Sequence, residues 1–227
     1  MFNQPCELSE LIQAVSKILP TGQADINLNS FAVKLFSCNM ELLFPLQPVV
    51  PEGFRYYSDF LSLEEESILL GIVNAIDLRP MIFQGFEAKR KVKSFGYDYH
   101  FDTCKLQLGE PVPSELKPLT RKTARTLAID PESFAEILVT EYPQGSVINW
   151  HRDAPPFGMI AGISLLEDCI FRFRPHQKSR RSRHSVINVT VKRRSLYVLD
   201  GPSRSEWEHS ILPVQNNRYS ITLRTLQ

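Results

Sequence analysis

His151 and Asp153 flank Arg152, which places an imidazole and a carboxylate two residues apart. On an extended backbone both side chains leave on the same side, because successive residues of a strand alternate between faces. A second imidazole from a distant strand, for which His209 is the candidate, would complete one face of an octahedron around a metal ion. Two imidazoles and a carboxylate suit Fe(II) and leave three coordination positions open. A bidentate oxo-acid and O2 fit those positions, so His151, Asp153 and His209 read as the ligands of a non-haem iron oxygenase. Near the C-terminus, Arg218 and Arg224 stand six residues apart in an alternating stretch, each with a planar fork that a carboxylate fits bidentately. A chain with five histidines can carry a His-x-Asp triplet by chance, so the weight of the reading rests on what surrounds it.

The surroundings are specific. Glu141 to Asp153 runs through a Pro143-Gln144-Gly145 turn and a short apolar stretch into the ligands. Gly162-Ile163-Ser164-Leu165, Ser205 to Ile211 around His209, and Arg218-Tyr219-Ser220-Ile221-Thr222-Leu223-Arg224 follow in that order. From Pro51 to the C-terminus this arrangement resembles the AlkB-type 2-oxoglutarate- and Fe(II)-dependent dioxygenases, whose signature includes the same RxxxxxR form. The resemblance implies Fe(II), 2-oxoglutarate as co-substrate, and O2. It also implies that Arg218 grips the distal carboxylate of 2-oxoglutarate. Arg224 then lies nearer the metal and supports the ligand carboxylate or the metal-bound end of the co-substrate. Tyr142 donates its hydroxyl to the co-substrate, with Thr140 where the repair enzymes carry an asparagine and Ser220 between the two arginines. Phe95-Gly96-Tyr97-Asp98-Tyr99 is similar to the family's substrate-lid segment, which makes Tyr97 and Tyr99 candidates for the substrate pocket and brings in Arg90 from the same segment.

Nine Lys or Arg and no Asp or Glu lie between Arg172 and Arg194, interleaved with Phe171 and Phe173. Cations neutralise phosphates and aromatic rings stack on bases that leave their helix, so DNA or RNA is the expected partner, with Arg183 the basic residue expected nearest a flipped base. The resemblance then implies oxidative dealkylation of alkylated bases, coupled to decarboxylation of 2-oxoglutarate. A tRNA-modifying oxygenase, a hydroxylase or demethylase of a protein or small molecule, and a nucleic-acid-binding protein with a dead site stay open beside it.

Stepping outward to the elements, Ser62 and Glu65 form a capping box that predicts a helix carrying Ile68, Leu69, Ile72, Val73 and Ile76 on one side. A second helix is predicted near Ser114 to Leu127. Phe134–Tyr142, Ile160–Leu165, Cys169–Arg174, Ser185–Val191, Ser195–Leu199 and Arg218–Leu223 read as short strands, being β-branched or aromatic and bounded by turn residues. That order predicts an α+β, mainly β fold: a double-stranded β-helix, or jelly roll, with supporting helices on one side. Residues 1–50 are expected to be an N-terminal extension, a short helix plus strands packed on the core, and 51–227 the dioxygenase domain.

Composition narrows the setting. The chain has 227 residues, 43% of them hydrophobic, enough for one sizeable core. Cys6, Cys38, Cys104 and Cys169 show no paired spacing and a secretory leader is not expected, so neither a disulfide framework nor a structural zinc site is expected. No apolar run approaches the roughly 18 residues of a membrane span. A cytoplasmic protein, or a nuclear one in a eukaryote, working as a monomer away from membranes, is the expectation.

Overall fold

The computed structural model describes residues 50–83, 85–100 and 103–227. The expected helix and strands of residues 1–49 therefore lie outside the described residues. In chain order the described elements are strand β1 (Phe54–Tyr57), helix α1 (Leu63–Asn74), strands β2 (Arg79–Phe83), β3 (Phe86–His100) and β4 (Lys105–Leu108), helix α2 (Lys117–Leu127), strands β5 (Phe134–Tyr142), β6 (Ile148–His151), β7 (Phe157–Leu165), β8 (Cys169–Pro175), β9 (Ile187–Val191) and β10 (Leu196–Leu199), short helix α3 (Gly201–Ser205), and strands β11 (Trp207–Ile211) and β12 (Arg218–Leu226). The larger sheet has the order β1-β10-β7-β12-β5-β3-β2 with β4 paired to β3, and the smaller has the order β6-β11-β8-β9. All pairings are antiparallel.

The two faces of the larger sheet bury different things, and the alternation of its strands decides which. Ile137, Val139, Ala161, Ile163, Leu165, Leu196, Val198, Ile221 and Leu223 point to one side, where Leu69 and Val73 of α1 and Leu119, Ala124 and Leu127 of α2 cover them. Each fully buried valine, leucine or isoleucine among them contributes about 1.5–3 kcal/mol relative to exposure. The opposite side faces the smaller sheet, across a second core of Phe54, Tyr142, Ile160, Tyr197 and Leu199 with Phe171, Phe173, Val189, Val191 and Ile211. Here the pattern changes character: the inward positions of β12 are Arg218, Ser220, Thr222 and Arg224, all on one face at a spacing of two. A strand whose outer face is greasy and whose inner face is polar marks the space between the sheets as a site. The fold is the expected mainly β, double-sheet jelly roll with helices on one side, and it does not close into a barrel.

Helix α1 opens as its capping box requires: the Ser62 hydroxyl accepts from the Glu65 N–H at 3.1 Å and the Glu65 carboxylate accepts from the Ser62 N–H at 2.8 Å. Its buried face differs from the expected one. Ile68 is 58% exposed, whereas Glu66 is 2% exposed. Glu66 accepts hydrogen bonds from the Leu166 N–H and from both Nε and Nη2 of Arg193, so it pins two turns of the larger sheet to the helix. A buried carboxylate satisfied in this way is compatible with a core that periodicity alone assigns to isoleucine.

Candidate active site

Strand β11 pairs with β6 so that His209 lies directly opposite His151. Their rings are 4.3 Å apart between centroids. Strand β6 ends at His151, and Asp153 hangs from the loop that follows, its Oδ2 3.3 Å from His209 Nε2. An octahedral face with metal–ligand bonds of about 2.1 Å has edges of about 3 Å, so this separation is close to what one cation demands. One donor atom from each of His151, Asp153 and His209 lies within 4.8 Å of the others. The Nδ1 of His151 is engaged with the Asn149 carbonyl at 2.8 Å, as a donor, which leaves Nε2 as the lone-pair nitrogen. His209 is sandwiched by the parallel ring of Phe171 at 5.1 Å. Burial first, then neighbouring His151, push its imidazole down to about 3, so it stays neutral and able to donate to a metal.

Asp153 is held from two directions. Arg224 Nη2 donates to its Oδ1 at 2.9 Å, while Arg204 Nη2 donates to the carbonyls of Asp153, Ala154 and Phe157, fastening the loop that carries it. Burial alone would raise the Asp153 carboxyl, yet Arg224, His209, His151 and Arg204 together outweigh it and hold the group well below the usual carboxylate range. A carboxylate ionised under all ordinary conditions is what a divalent cation needs.

Arg218 is the largest fully buried side chain among the described residues. Its Nε donates to Ser164 Oγ at 3.0 Å and its guanidinium lies over the Tyr142 ring at 4.8 Å. Both terminal nitrogens are buried without a hydrogen-bond partner among the described residues. An unsatisfied buried cation is costly, and the missing partner is a planar, doubly accepting anion. A dicarboxylate such as 2-oxoglutarate carries a group of that kind at each end. Tyr142 and Ser220 close the same wall, their hydroxyls 3.4 Å apart, and Thr140 stands opposite Ser220 in the ladder.

The structure thus brings together seven of the residues singled out from sequence: His151, Asp153, His209, Arg218, Arg224, Tyr142 and Ser220. The four substrate candidates fare differently. Tyr99 lines a cavity of about 480 Å³ beside Asp153, together with Arg152, His176, Arg204 and Glu208. Tyr97, Arg90 and Arg183 do not line it; Arg90 lies against the Met81 sulfur at 2.6 Å, and Arg183 is exposed in a turn. Three participants escaped the sequence reading. Arg204 carries no signal beyond its position in Gly201-Pro202-Ser203-Arg204. Glu136 is a buried acid between Ala135 and the apolar run Ile137-Leu138-Val139, which could have flagged it. Tyr197 lies flat over Gly162, where any Cβ would run into its ring, so that its phenol, pushed up by burial, joins Tyr142 and Arg218 in the wall.

With this geometry in hand, comparison with known proteins is decisive on the family. The sequence profile described as the 2OG-Fe(II) oxygenase superfamily matches residues 74–224. The chain belongs to that superfamily. Residues 74–224 are a 2-oxoglutarate- and Fe(II)-dependent dioxygenase domain, using Fe(II), 2-oxoglutarate and O2. Among curated proteins, the chain is similar to the tRNA (carboxymethyluridine(34)-5-O)-methyltransferase alkbh8 of Xenopus tropicalis, at 27% identity over 177 residues, 74% of this chain and 26% of the relative. The enzyme of the same name from Mus musculus is 28% identical over 170 residues, 72% of this chain and 25% of the relative. The chain spans about a quarter of the length of these relatives. Among solved structures, OsALKBH1 superimposes with a TM-score of 0.60 at 15% identity over 80% of this chain and 100% of the other. A Pseudomonas putida prolyl-4-hydroxylase gives 0.54 at 15% identity over 77% and 92%. These two likenesses concern the fold.

Proposed function

We propose that this oxygenase domain dealkylates alkylated bases in nucleic acid, DNA or RNA. His151, Asp153 and His209 would hold the Fe(II), with Arg224 and Arg204 keeping Asp153 ionised and oriented. Arg218 would take the distal carboxylate of 2-oxoglutarate, and Tyr142, Ser220 and Thr140 would line its bed. When bound, the iron lets O2 place one oxygen atom on a substrate C–H bond and the other in succinate, with loss of CO2 from the oxo-acid. An N-methyl group oxidised in this way leaves as formaldehyde and restores the base.

The observation that carries the nucleic-acid reading is the cavity beside Asp153. Its volume of about 480 Å³ suits a single flipped base, Tyr99 offers a ring to stack on, and Arg152 and His176 stand at its rim. The cation-rich stretch from Arg172 to Arg194 adjoins it through His176. The printed names of the curated relatives concern tRNA, which supports a polynucleotide partner and keeps an RNA-modifying oxygenase as the second reading.

Mass spectrometry of methylated DNA and RNA oligonucleotides after incubation with the Fe(II)-loaded protein and 2-oxoglutarate is the direct test. Loss of methyl groups with formaldehyde release, absent in His151→Ala, is the expected outcome. Succinate formation with every oligonucleotide unchanged would overturn the nucleic-acid reading and point to a protein or small-molecule substrate.

A further inference from the structure

One buried acid beside the site has no part in the chemistry described so far. Glu136, on the inner face of β5, is 2% exposed. Its Oε2 accepts from Arg224 Nη1 at 2.7 Å, and Arg224 reaches on through Nη2 to Asp153 Oδ1 at 2.9 Å. Its Oε1 accepts from Ser94 Oγ at 2.6 Å, and Ser94 sits on β3, which also carries Tyr97 and Tyr99. Ser94 Oγ lies 3.2 Å from the Tyr97 carbonyl as well. Between these, β3 and β5 approach so closely at Gly96 that a Cβ there would strike the Ala135 carbonyl, and the positive φ of 82° suits glycine alone. An unbroken chain of hydrogen bonds therefore runs from β3, whose Tyr99 lines the cavity, through Ser94, Glu136 and Arg224 to Asp153.

The charges in this chain set a problem that Glu136 solves. Asp153 is asked to serve a divalent cation and a buried guanidinium together. A guanidinium with no other anion would place its whole charge on Asp153 and compete with the metal for the carboxylate's lone pairs. Shared between two carboxylates in a buried site, it orients Asp153 while withdrawing less from it. Arg224 also has a single orientation here, stacked on the Phe157 ring at 5.1 Å, so its two terminal nitrogens are already assigned, one to each acid.

We propose that Glu136 is a positioning residue for the metal centre: by neutralising and orienting Arg224 it keeps Asp153 available as a ligand, and through Ser94 it ties that ligand to the strand bearing Tyr97 and Tyr99. This rests on the reading of His151, Asp153 and His209 as the metal ligands, and the test separates the two. The measurement is Co(II) affinity and the Co(II) visible spectrum, obtained anaerobically on the full chain by titration, so that no turnover is required. Glu136→Gln keeps the shape and removes the charge; it is expected to weaken Co(II) binding about tenfold, in the range found when partners of metal ligands are changed. Ser94→Ala, a milder change suited to retaining the fold, is expected to weaken it about threefold, as one hydrogen bond to Glu136 is lost. The double variant Glu136→Gln with Arg224→Gln removes both charges and is expected to bind Co(II) more tightly than Glu136→Gln alone. A merely structural role for Glu136 would make the second substitution additive and harmful. Wild-type Co(II) affinity and spectrum in folded Glu136→Gln and Ser94→Ala, or a double variant no tighter than the single, overturns the inference about Glu136 alone. A wild-type protein that fails to bind Co(II) overturns the ligand assignment, and this inference with it.

Discussion

Arg218 separates what a residue does for the fold from what it does for a ligand. It is 0% exposed and its terminal nitrogens face no carboxylate among the described residues, so the free protein buries a charge that Ser164 and Tyr142 relieve without an opposite charge. Replacing it with methionine should therefore leave the melting temperature of the ligand-free protein unchanged or higher. The same change should cost about 2–4 kcal/mol of 2-oxoglutarate affinity, the scale of removing one partner of a buried charged pair. Calorimetric titration of the Co(II)-loaded protein with 2-oxoglutarate, alongside thermal melts with and without the co-substrate, measures both. A large drop in the ligand-free melting temperature with co-substrate affinity intact would assign Arg218 to structure instead. His209 and Asp153 contrast with it, because their electrostatic surroundings already match a metal: one imidazole kept neutral, one carboxylate kept ionised.

At the scale of elements, α1 is bound to the larger sheet by an acid as much as by its leucine and valine. Glu66 accepts from the Leu166 N–H at 2.9 Å and from Arg193 Nη2 at 2.5 Å, joining the turn after β7 and the turn before β10 to the helix. Burial would raise the Glu66 carboxyl, but Arg193 and the Leu166 N–H outweigh it, and the group titrates below its ordinary 4.5. A carboxyl lowered in the folded state stabilises fully above its unfolded value and loses that contribution as pH falls through the folded one. Glu66→Gln should thus cost about 2–3 kcal/mol near neutrality, allowing for an Arg193 side chain that is partly in solvent. The gap between wild type and variant in urea midpoint should shrink as the pH drops below 4.5. A gap that is constant with pH would exclude the ionised pair as its source.

At the scale of the whole molecule, the cations of the Arg172–Arg194 segment divide into two groups. Arg174 and Arg181 converge on Glu208, which the His176 ring also contacts, Arg180 reaches Glu206, and Arg193 serves Glu66, so these arginines are committed to the protein's own acids. Arg172 hydrogen-bonds Ser210 and, with Arg174, lies against the Trp150 ring. Fewer charges are then available for phosphates than the count along the chain implies. Binding of a single-stranded oligonucleotide should accordingly weaken only about tenfold between 50 and 200 mM salt, as two or three phosphate contacts would give. Fluorescence anisotropy at several salt concentrations measures this slope, and a salt-independent affinity would remove the phosphate contacts from the account. No helix among the described residues is long and apolar enough to cross a membrane.

Much of this site was legible along the chain because the relevant information is local. A repeat of two decides which side chains share a strand face, so His151 with Asp153, and Arg218 with Ser220 and Arg224, could be grouped before any folding was considered. The same rule mistook part of α1, where Ile68 fits the helical period yet faces solvent and Glu66 takes the buried place. Nor does spacing announce partners that are remote in sequence. Glu136 and Arg224 are 88 positions apart, and Arg204 reaches carbonyls about fifty positions away. Residue types and near spacings thus determined the candidate pair His151 and Asp153, the shared face of Arg218 and Arg224 and the mainly β architecture, while the resemblance supplied the roles expected of them. The pairing of β6 with β11, the burial of Arg218 against Tyr142 and Ser164 and the shared use of Arg224 by two acids were decided only in three dimensions, because strand order and the gap between facing sheets depend on how the entire core packs.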